Sequence, residues 1–278
     1  MKHNPSILVF AGWLFFSVFP KSYPVITEPT SLHPNEEAVS DSIKITILYD
    51  NYVFAQGTQA NWGFSCLIEN TAETILFDTG TDPDILIKNV NELDKDLSQV
   101  DIIVISHNHR DHTGGLFEAL RLSENAKVYL PHSTSKSYMN EVKKTGAVLF
   151  SEKESTSIAV DCYLTGELGS DIKEQSLILN TKNGLVVITG CSHPGIVNIV
   201  RSAHSILGKE VYMVFGGFHL MRHASDEIHD IITSLKDSGV KYCGATHCSG
   251  DEAIQLFQQA FGQNFLQMGT GRVIKIPS

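Results

Sequence analysis

Between residues 43 and 49 apolar and polar side chains alternate, Ile43-Lys44-Ile45-Thr46-Ile47, which is the period of a strand with one buried face. Apolar stretches at 64–69, 74–78 and 101–106 follow between turn residues and predict three further strands. Helical spacing is predicted over 83–90, 114–122 and 134–144. A second β-rich portion starts near Val148 and includes 157–160, 176–179 and 185–188, with Asn183-Gly184 as a hairpin turn before the last. Beyond it, strand and helix alternate. Residues 196–207 place Ile196, Ile199, Val200, Ala203 and Leu207 on one helical face, and strand 211–215 follows. Helix 226–237 is predicted on Ile228, Ile231, Ile232 and Leu235, then strand 240–245 and helix 251–261 on Ala253, Ile254, Phe257 and Phe261. Strand 272–276 closes the chain, and no internal repeat is visible. Two β-rich portions with helices outside them fit an α/β chain folded as an αβ/βα sandwich.

The first forty residues do not fit that pattern. Lys2 and His3 precede an apolar run from Ile7 to Phe19, which has the charge order and length of a secretory leader. A spanning helix needs roughly 20 apolar residues. The stretch after the run, Phe19-Pro20-Lys21-Ser22-Tyr23, is a poor cleavage site, so residues 1–22 read as a signal peptide or an uncleaved membrane anchor. Residues 23–42, with prolines, Ser, Thr and Glu36-Glu37, read as a linker, leaving 43–278 as the folded domain. The expected location is therefore exported, periplasmic or secreted. With 278 residues and 42% hydrophobic content a sizeable core is available. A formal charge of −10 with no Lys/Arg run argues against a nucleic-acid partner and against adhesion to anionic lipid, leaving the N-terminal segment as the one expected membrane contact. Five scattered cysteines make no disulfide framework, and Cys66 reads as a small core residue.

Chemistry concentrates at 106–115, Ser-His-Asn-His-Arg-Asp-His-Thr-Gly-Gly, where an apolar strand ends. Three imidazoles and a carboxylate within six residues are donors for a divalent ion of borderline hardness. At the end of a strand His107 and His109 point the same way. If the chain then turns into a helix, Asp111 and His112 swing to a second position nearby. One segment thus offers two ligands to each of two ions, which in two-metal sites stand roughly 3.5–4 Å apart.

The segment resembles the His-x-His-x-Asp-His signature of the metallo-β-lactamase fold superfamily. Ile75-Leu76-Phe77-Asp78-Thr79-Gly80 is similar to that superfamily's strand ending in Asp-Thr-Gly, whose Asp supports the metal loop. Three further blocks, Thr189-Gly190-Cys191-Ser192-His193-Pro194-Gly195, Gly216-Gly217-Phe218-His219-Leu220 and Thr246-His247-Cys248-Ser249-Gly250, together with Tyr49-Asp50-Asn51, resemble one branch. Its members are metal-dependent hydrolases and dihydropterin-type methanopterin precursor synthases. The likeness spans roughly 43–278 and implies a four-layer αβ/βα sandwich.

The resemblance also implies site roles. His107, His109, Asp111 and His112 are expected metal ligands, and His247 matches the last ligand histidine. Many relatives carry a histidine before strand 185–188 and a bridging aspartate at its end. Here Lys173-Glu174-Gln175-Ser176 holds no histidine, and Cys191 stands where that aspartate would be. His193 is therefore the expected substitute imidazole. Cys191 is either a thiolate ligand or a small residue packed under the loop. His219 is expected in catalysis or substrate contact, with metal ligation in place of His193 or a plain structural role as the alternatives. His132, His204, His223 and His229 have no comparable context. Trp62 and the 50–52 loop either reach the pocket rim or belong to the core.

The expected cofactor is Zn2+, one ion or two, with Mn2+ or Fe2+ as alternatives. Water activated by the metal would hydrolyse an ester, amide or phosphoester of a small molecule, Asp111 orienting the nucleophile and His219 protonating the leaving group. The competing readings are a pterin-precursor synthase and a non-catalytic metal-binding or ligand-sensing protein on the same fold.

Overall fold

In the computed structural model, which describes Met1 and residues 42–277, the initial alternation becomes strand β1 (Ser42–Tyr49). The same sheet continues with β2 (Ser65–Glu69), β3 (Ile75–Phe77), β4 (Ile102–Val104), β5 (Lys127–Tyr129) and β6 (Val148–Phe150). A second sheet contains β7 (Thr156–Ala159), β8 (Cys162–Leu164), β9 (Leu177–Thr181), β10 (Gly184–Thr189), β11 (Val211–Gly217) and β12 (Tyr242–Thr246). The last strand, β13 (Val273–Pro277), returns to the first sheet and pairs antiparallel with β1. The leader and linker expected over 1–42 lie outside the described residues, Met1 and Ser42 apart. No described helix is long and apolar enough to cross a membrane.

Helices α1 (Pro83–Glu92), α2 (Arg110–Thr113), α3 (Leu116–Leu122), α4 (Lys136–Lys144), α5 (Ile196–Leu207), α6 (Ser225–Asp237) and α7 (Asp251–Phe261) complete the chain. Their ends have local causes. Asp82 accepts the N–H groups of Asp84 and Ile85 at the start of α1, and Pro83 sits where its missing N–H is not needed. Ser135 caps α4 through the N–H of Tyr138, and Gly208 ends α5 in the left-handed region at φ 65°.

Three apolar layers hold the sandwich together. Between the sheets Ile45, Ile47, Phe77 and Val104 meet Leu177, Val186, Ile188 and Phe215. Outside the first sheet Leu86, Val90, Leu116 and Val142 cover Leu76, Ile103 and Val128. Outside the second, Ile199, Val200, Ile228, Ile232 and Phe257 cover Val187 and Val214. Central strands buried on both faces explain the unbroken apolar runs in the sequence. Each large side chain so buried contributes about 1.5–3 kcal/mol, which lets the scaffold carry strained and polar loops at one edge. The result is the expected αβ/βα sandwich.

The structure departs from the sequence reading in four places. Residues 114–122 do not form one helix: α2 begins earlier, at Arg110, and the chain breaks at Gly114-Gly115 before α3. Gly114 packs so closely on the 79–81 loop that a Cβ there would stand 1.9 Å from the Thr81 carbonyl oxygen. Val148–Phe150 belongs to the edge of the first sheet, not to the second β-rich portion. Strands β5 and β8 were not expected; three residues are too few to show a period. Residue 160 leaves its strand, because Val160-Asp161 makes the hairpin turn into β8 with Asp161 at φ 57°.

Candidate metal centre

Parallel pairing brings β3 beside β4 and sets β10, β11 and β12 side by side, so their C-terminal ends open together. Every candidate side chain rises from one of these ends. Past β3, Asp78 organises the loop after β4: Oδ1 accepts the Ser106 N–H at 2.7 Å, and Oδ2 accepts the Ser106 hydroxyl at 2.7 Å. The same Oδ2 lies 2.7 Å from His112 Nδ1. Ser106 Oγ in turn lies 2.9 Å from His107 Nδ1. With both Nδ1 positions engaged as donors, the Nε2 lone pairs of His107 and His112 are left for a ligand. His107 Nε2 stands 3.1 Å from His109 Nδ1.

The loop after β10 is held from below by Glu174. Its Oε1 accepts the Thr189 hydroxyl at 2.9 Å and the N–H groups of Gly190, Cys191 and Ser192 at 3.0 Å each. Its Oε2 accepts the His193 N–H at 2.8 Å. Burial pushes the Glu174 carboxyl above its ordinary range, and these donors pull it back only in part. Next to it Gln175 ties the sheets together, donating its backbone N–H to Ser106 O at 2.9 Å and its side-chain amide to Ile105 O at 2.8 Å. Gly190 must be glycine, since a Cβ would lie 2.1 Å from Ser106 Oγ. After β12, His247 Nδ1 lies 2.9 Å from Asn51 Oδ1, while Asn51 Nδ2 donates to the His247 carbonyl at 3.1 Å.

These supports gather donor atoms into three groups, each with its members within 4.8 Å of one another: His107, His109 and His193; Asp111, His112, Cys191 and His247; and Cys191, His219 and Cys248. Within the second, Cys191 Sγ is 3.3 Å from His112 Nε2, and Asp111 Oδ2 is 3.3 Å from His247 Nε2. Trp62 Nε1 donates to the same Asp111 oxygen at 2.8 Å, with its ring 5.0 Å from that of His247. His193 Nε2 is buried with no hydrogen-bond partner, and His247 Nε2 has only the Asp111 carboxylate at 3.3 Å, outside hydrogen-bond geometry. A buried unpaired nitrogen costs about 1–3 kcal/mol. The donor set therefore fits a metal ion, which would satisfy both.

The electrostatics match a ligand role for His107 and His193, whereas His112 holds a proton that a bound ion would have to displace. Burial and the neighbouring imidazoles hold His107 well below the ordinary histidine range and His193 down at about 4. Their rings are neutral, as ligands must be. Burial also works against charge on His112, but the Asp78 and Asp111 carboxylates outweigh it and raise the ring to about 9. Asp111 is held well below the usual carboxylate range, since His247 and His112 overcome its burial. Burial likewise opposes ionisation of Cys248, yet the Cys191 thiol and the His219 imidazole hold it well below an ordinary thiol.

His107, His109, Asp111, His112, His193 and His247 are thus brought together, and Cys191 joins them. His219 stands beside His193, ring centroids 4.4 Å apart, but outside the two histidine-rich groups. It lines a cleft of about 780 Å³ with Trp62, Met221, Arg222, His223 and Cys248. His223, which had no context in sequence, reaches this cleft, whereas His132, His204 and His229 are exposed and away from it. Trp62 is a rim residue, 45% exposed, and not part of the core. Glu174 and Cys248 have roles here that carry no local sequence signature. Glu174 sits in the stretch noticed only for lacking a histidine, and Cys248 directly follows an expected ligand. The one general pointer to the first is an acidic residue among positions leading into a buried strand.

Comparison with known proteins places this geometry. Residues 63–197 match the family model described as Metallo-beta-lactamase superfamily. The chain is 28% identical over 285 residues to the 7,8-dihydropterin-6-methyl-4-(beta-D-ribofuranosyl)-aminobenzene-5'-phosphate synthase of Methanocaldococcus jannaschii, covering 84% of this chain and 97% of that protein. It is 29% identical to the solved structure of Tm1679, a metal-dependent hydrolase of the beta-lactamase superfamily, with a TM-score of 0.72 over 85% of this chain and 100% of that one. The metallo-beta-lactamase fold protein YhfI from Bacillus subtilis shares the fold at 14% identity, with a TM-score of 0.64 over 84% of this chain and 99% of that one.

Proposed function

The chain belongs to the metallo-β-lactamase superfamily, and from that premise we propose that it is a metal-dependent hydrolase of a small ester, amide or phosphoester. The observation that carries the reading is the pair of adjacent donor groups, with buried Nε2 atoms on His193 and His247 that make no hydrogen bond. His107, His109 and His193 would hold one ion, and Asp111, His112, Cys191 and His247 a second. Zn2+ suits this mixture of imidazole, carboxylate and thiolate donors; Mn2+ and Fe2+ suit it less because of the sulfur. When bound, the metal supplies an activated nucleophile and polarises the bond under attack.

The protein's own groups do the rest. Asp111, fixed by the Trp62 indole N–H, orients the attacking oxygen. His219 faces the cleft, and Cys248 beside it raises its pKa, which favours the protonated form that a donor to the leaving group needs. A cleft of about 780 Å³ is of the size that takes a small molecule. Metal analysis alongside a panel of esters, amides and phosphodiesters tests this reading. Turnover of at least one bond type, lost by roughly a hundredfold or more in His107→Ala, is the expected result. Stoichiometric metal with no turnover in either form overturns it in favour of a metal-binding or sensing protein.

The likeness to the dihydropterin synthase over nearly its full length supports a second reading, synthesis of a pterin precursor. Formation of the product in that relative's name, with no hydrolysis across the panel, would establish it. Export belongs to the same proposal. N-terminal sequencing of protein recovered outside the cytoplasm checks it, and an intact, soluble cytoplasmic chain starting at Met1 contradicts it. The cleft supports a small-molecule substrate, and the charge of −10 supports the absence of a nucleic-acid partner.

A further inference from the structure

We propose that Cys191, Cys248 and His219 form a further metal position, distinct in chemistry from the histidine-rich centre and selective for a thiophilic ion such as Cd2+, Cu+ or Zn2+. Their three donor atoms lie within 4.8 Å of one another, and neither cysteine is in a disulfide. Around a tetrahedral ion with Zn–S bonds of about 2.3 Å, two sulfurs stand roughly 3.8 Å apart. Side-chain adjustment of about 1 Å or less therefore closes the group.

The fold makes room for this arrangement. Gly217, at the end of β11, leaves the space that the Cys248 sulfur occupies: a Cβ at 217 would be 2.6 Å from Cys248 Sγ. Both cysteines are 3% exposed, and Cys248 Sγ otherwise finds only the Cys191 carbonyl, at 3.6 Å. His219 comes from the end of β11. Phe218 before it is buried edge-on against Phe257, with its N–H on Ser249 Oγ at 3.0 Å, and this anchors the strand end. Each of the three donors is, or is next to, a non-glycine residue in the left-handed region: Ser192 at φ 62°, His219 at φ 55° and His247 at φ 51°. That conformation is disfavoured for residues bearing a side chain, and the scaffold holds all three. His219 and Cys248 line the 780 Å³ cleft, so an ion has a path in and a coordination position facing solvent.

The donor types set the selectivity. Two sulfurs and one imidazole make a soft set, whereas His107, His109 and His193 make a nitrogen set and Asp111 adds a hard oxygen. The Cys191 sulfur is common to this position and to the Asp111–His112–His247 group. Filling one therefore draws on a ligand of the other, and it also occupies the His219 imidazole.

Titration of the full-length protein with Cd2+, followed by thiolate-to-metal charge-transfer absorbance in the near ultraviolet, tests the proposal without reference to any activity. The wild type is expected to show absorbance of a two-thiolate ion. Cys248→Ser is expected to lower that intensity by about half, and His219→Ala to keep it while weakening Cd2+ affinity by about tenfold or more. His107→Ala is expected to leave the signal unchanged. His219 is exposed, so its variant is a test that does not depend on tolerance of a change at a buried sulfur. Undiminished intensity in Cys248→Ser, or Cd2+ affinity within twofold of wild type in His219→Ala, would overturn the proposal.

Discussion

Glu174 shows how much of the centre depends on a residue that never touches the ligand space. One carboxylate receives four consecutive backbone N–H groups and the Thr189 hydroxyl, and through them sets where Cys191 and His193 stand. Glu174→Gln keeps the shape but replaces one acceptor oxygen with a donor. It should cost about 2–3 kcal/mol in thermal or denaturant unfolding. It should also weaken metal binding by roughly 10–100-fold in a chelator competition. Asp50 gives a pH-dependent counterpart. Burial pushes its carboxyl from the ordinary 3.8 up to about 6, against the opposing pull of the Thr246 hydroxyl. The folded chain therefore holds that proton more tightly than the unfolded one. Its contribution to stability is full below about pH 4 and is lost as pH rises through about 6. Unfolding of metal-free protein should show about 2 kcal/mol less stabilisation from this group at pH 7 than at pH 4, a difference that Asp50→Asn removes. The direct donors were legible in the sequence because imidazoles and carboxylates at such density have few other uses. Glu174, Asn51 and the Trp62–Asp111 hydrogen bond were not. Their roles arise from approaches between segments far apart in the chain, and a single acidic or amide residue carries no local signature.

At the scale of elements, the long pieces were readable, whereas the short strands β5 and β8 were not. Helix α7 spans its predicted range, and α5 does as well, because eleven or twelve residues of 3.6-residue spacing leave little ambiguity. Strands of three residues, such as β5 and β8, are defined by pairing with neighbours and not by their own composition. The break between α2 and α3 has the same origin, a contact with the 79–81 loop that local spacing does not encode. Where β10 ends, the close approach of two sheet edges rests on a missing side chain. Gly190→Ala should force Ser106 and the loop after β10 apart, with about 1–3 kcal/mol lost in thermal unfolding. Metal content by elemental analysis should fall in parallel. A variant with full stability and full metal content would show that the two edges can separate at no cost to the site.

For the whole molecule, the donors divide between the sheets. His107, His109, Asp111 and His112 rise from the first, and Cys191, His193, His219 and His247 from the second. An ion bound across them joins the two halves of the sandwich, so chelation should lower stability by mass action. Ligand at a hundred times its dissociation constant contributes about 2.7 kcal/mol. For a domain of this size that corresponds to roughly 5–10 °C in melting temperature, measurable by calorimetry with and without chelator. His107→Ala should show much the smaller response. The same division has a consequence during synthesis. His247 follows His107 by 140 residues, so at about 5–20 residues per second the nascent chain carries its histidine cluster for roughly 7–28 s before the last partner exists. Throughout that interval the emerging chain presents an incomplete chelate that any passing ion can occupy, and the metal finally retained is settled only when β12 leaves the ribosome and the second sheet closes over the first.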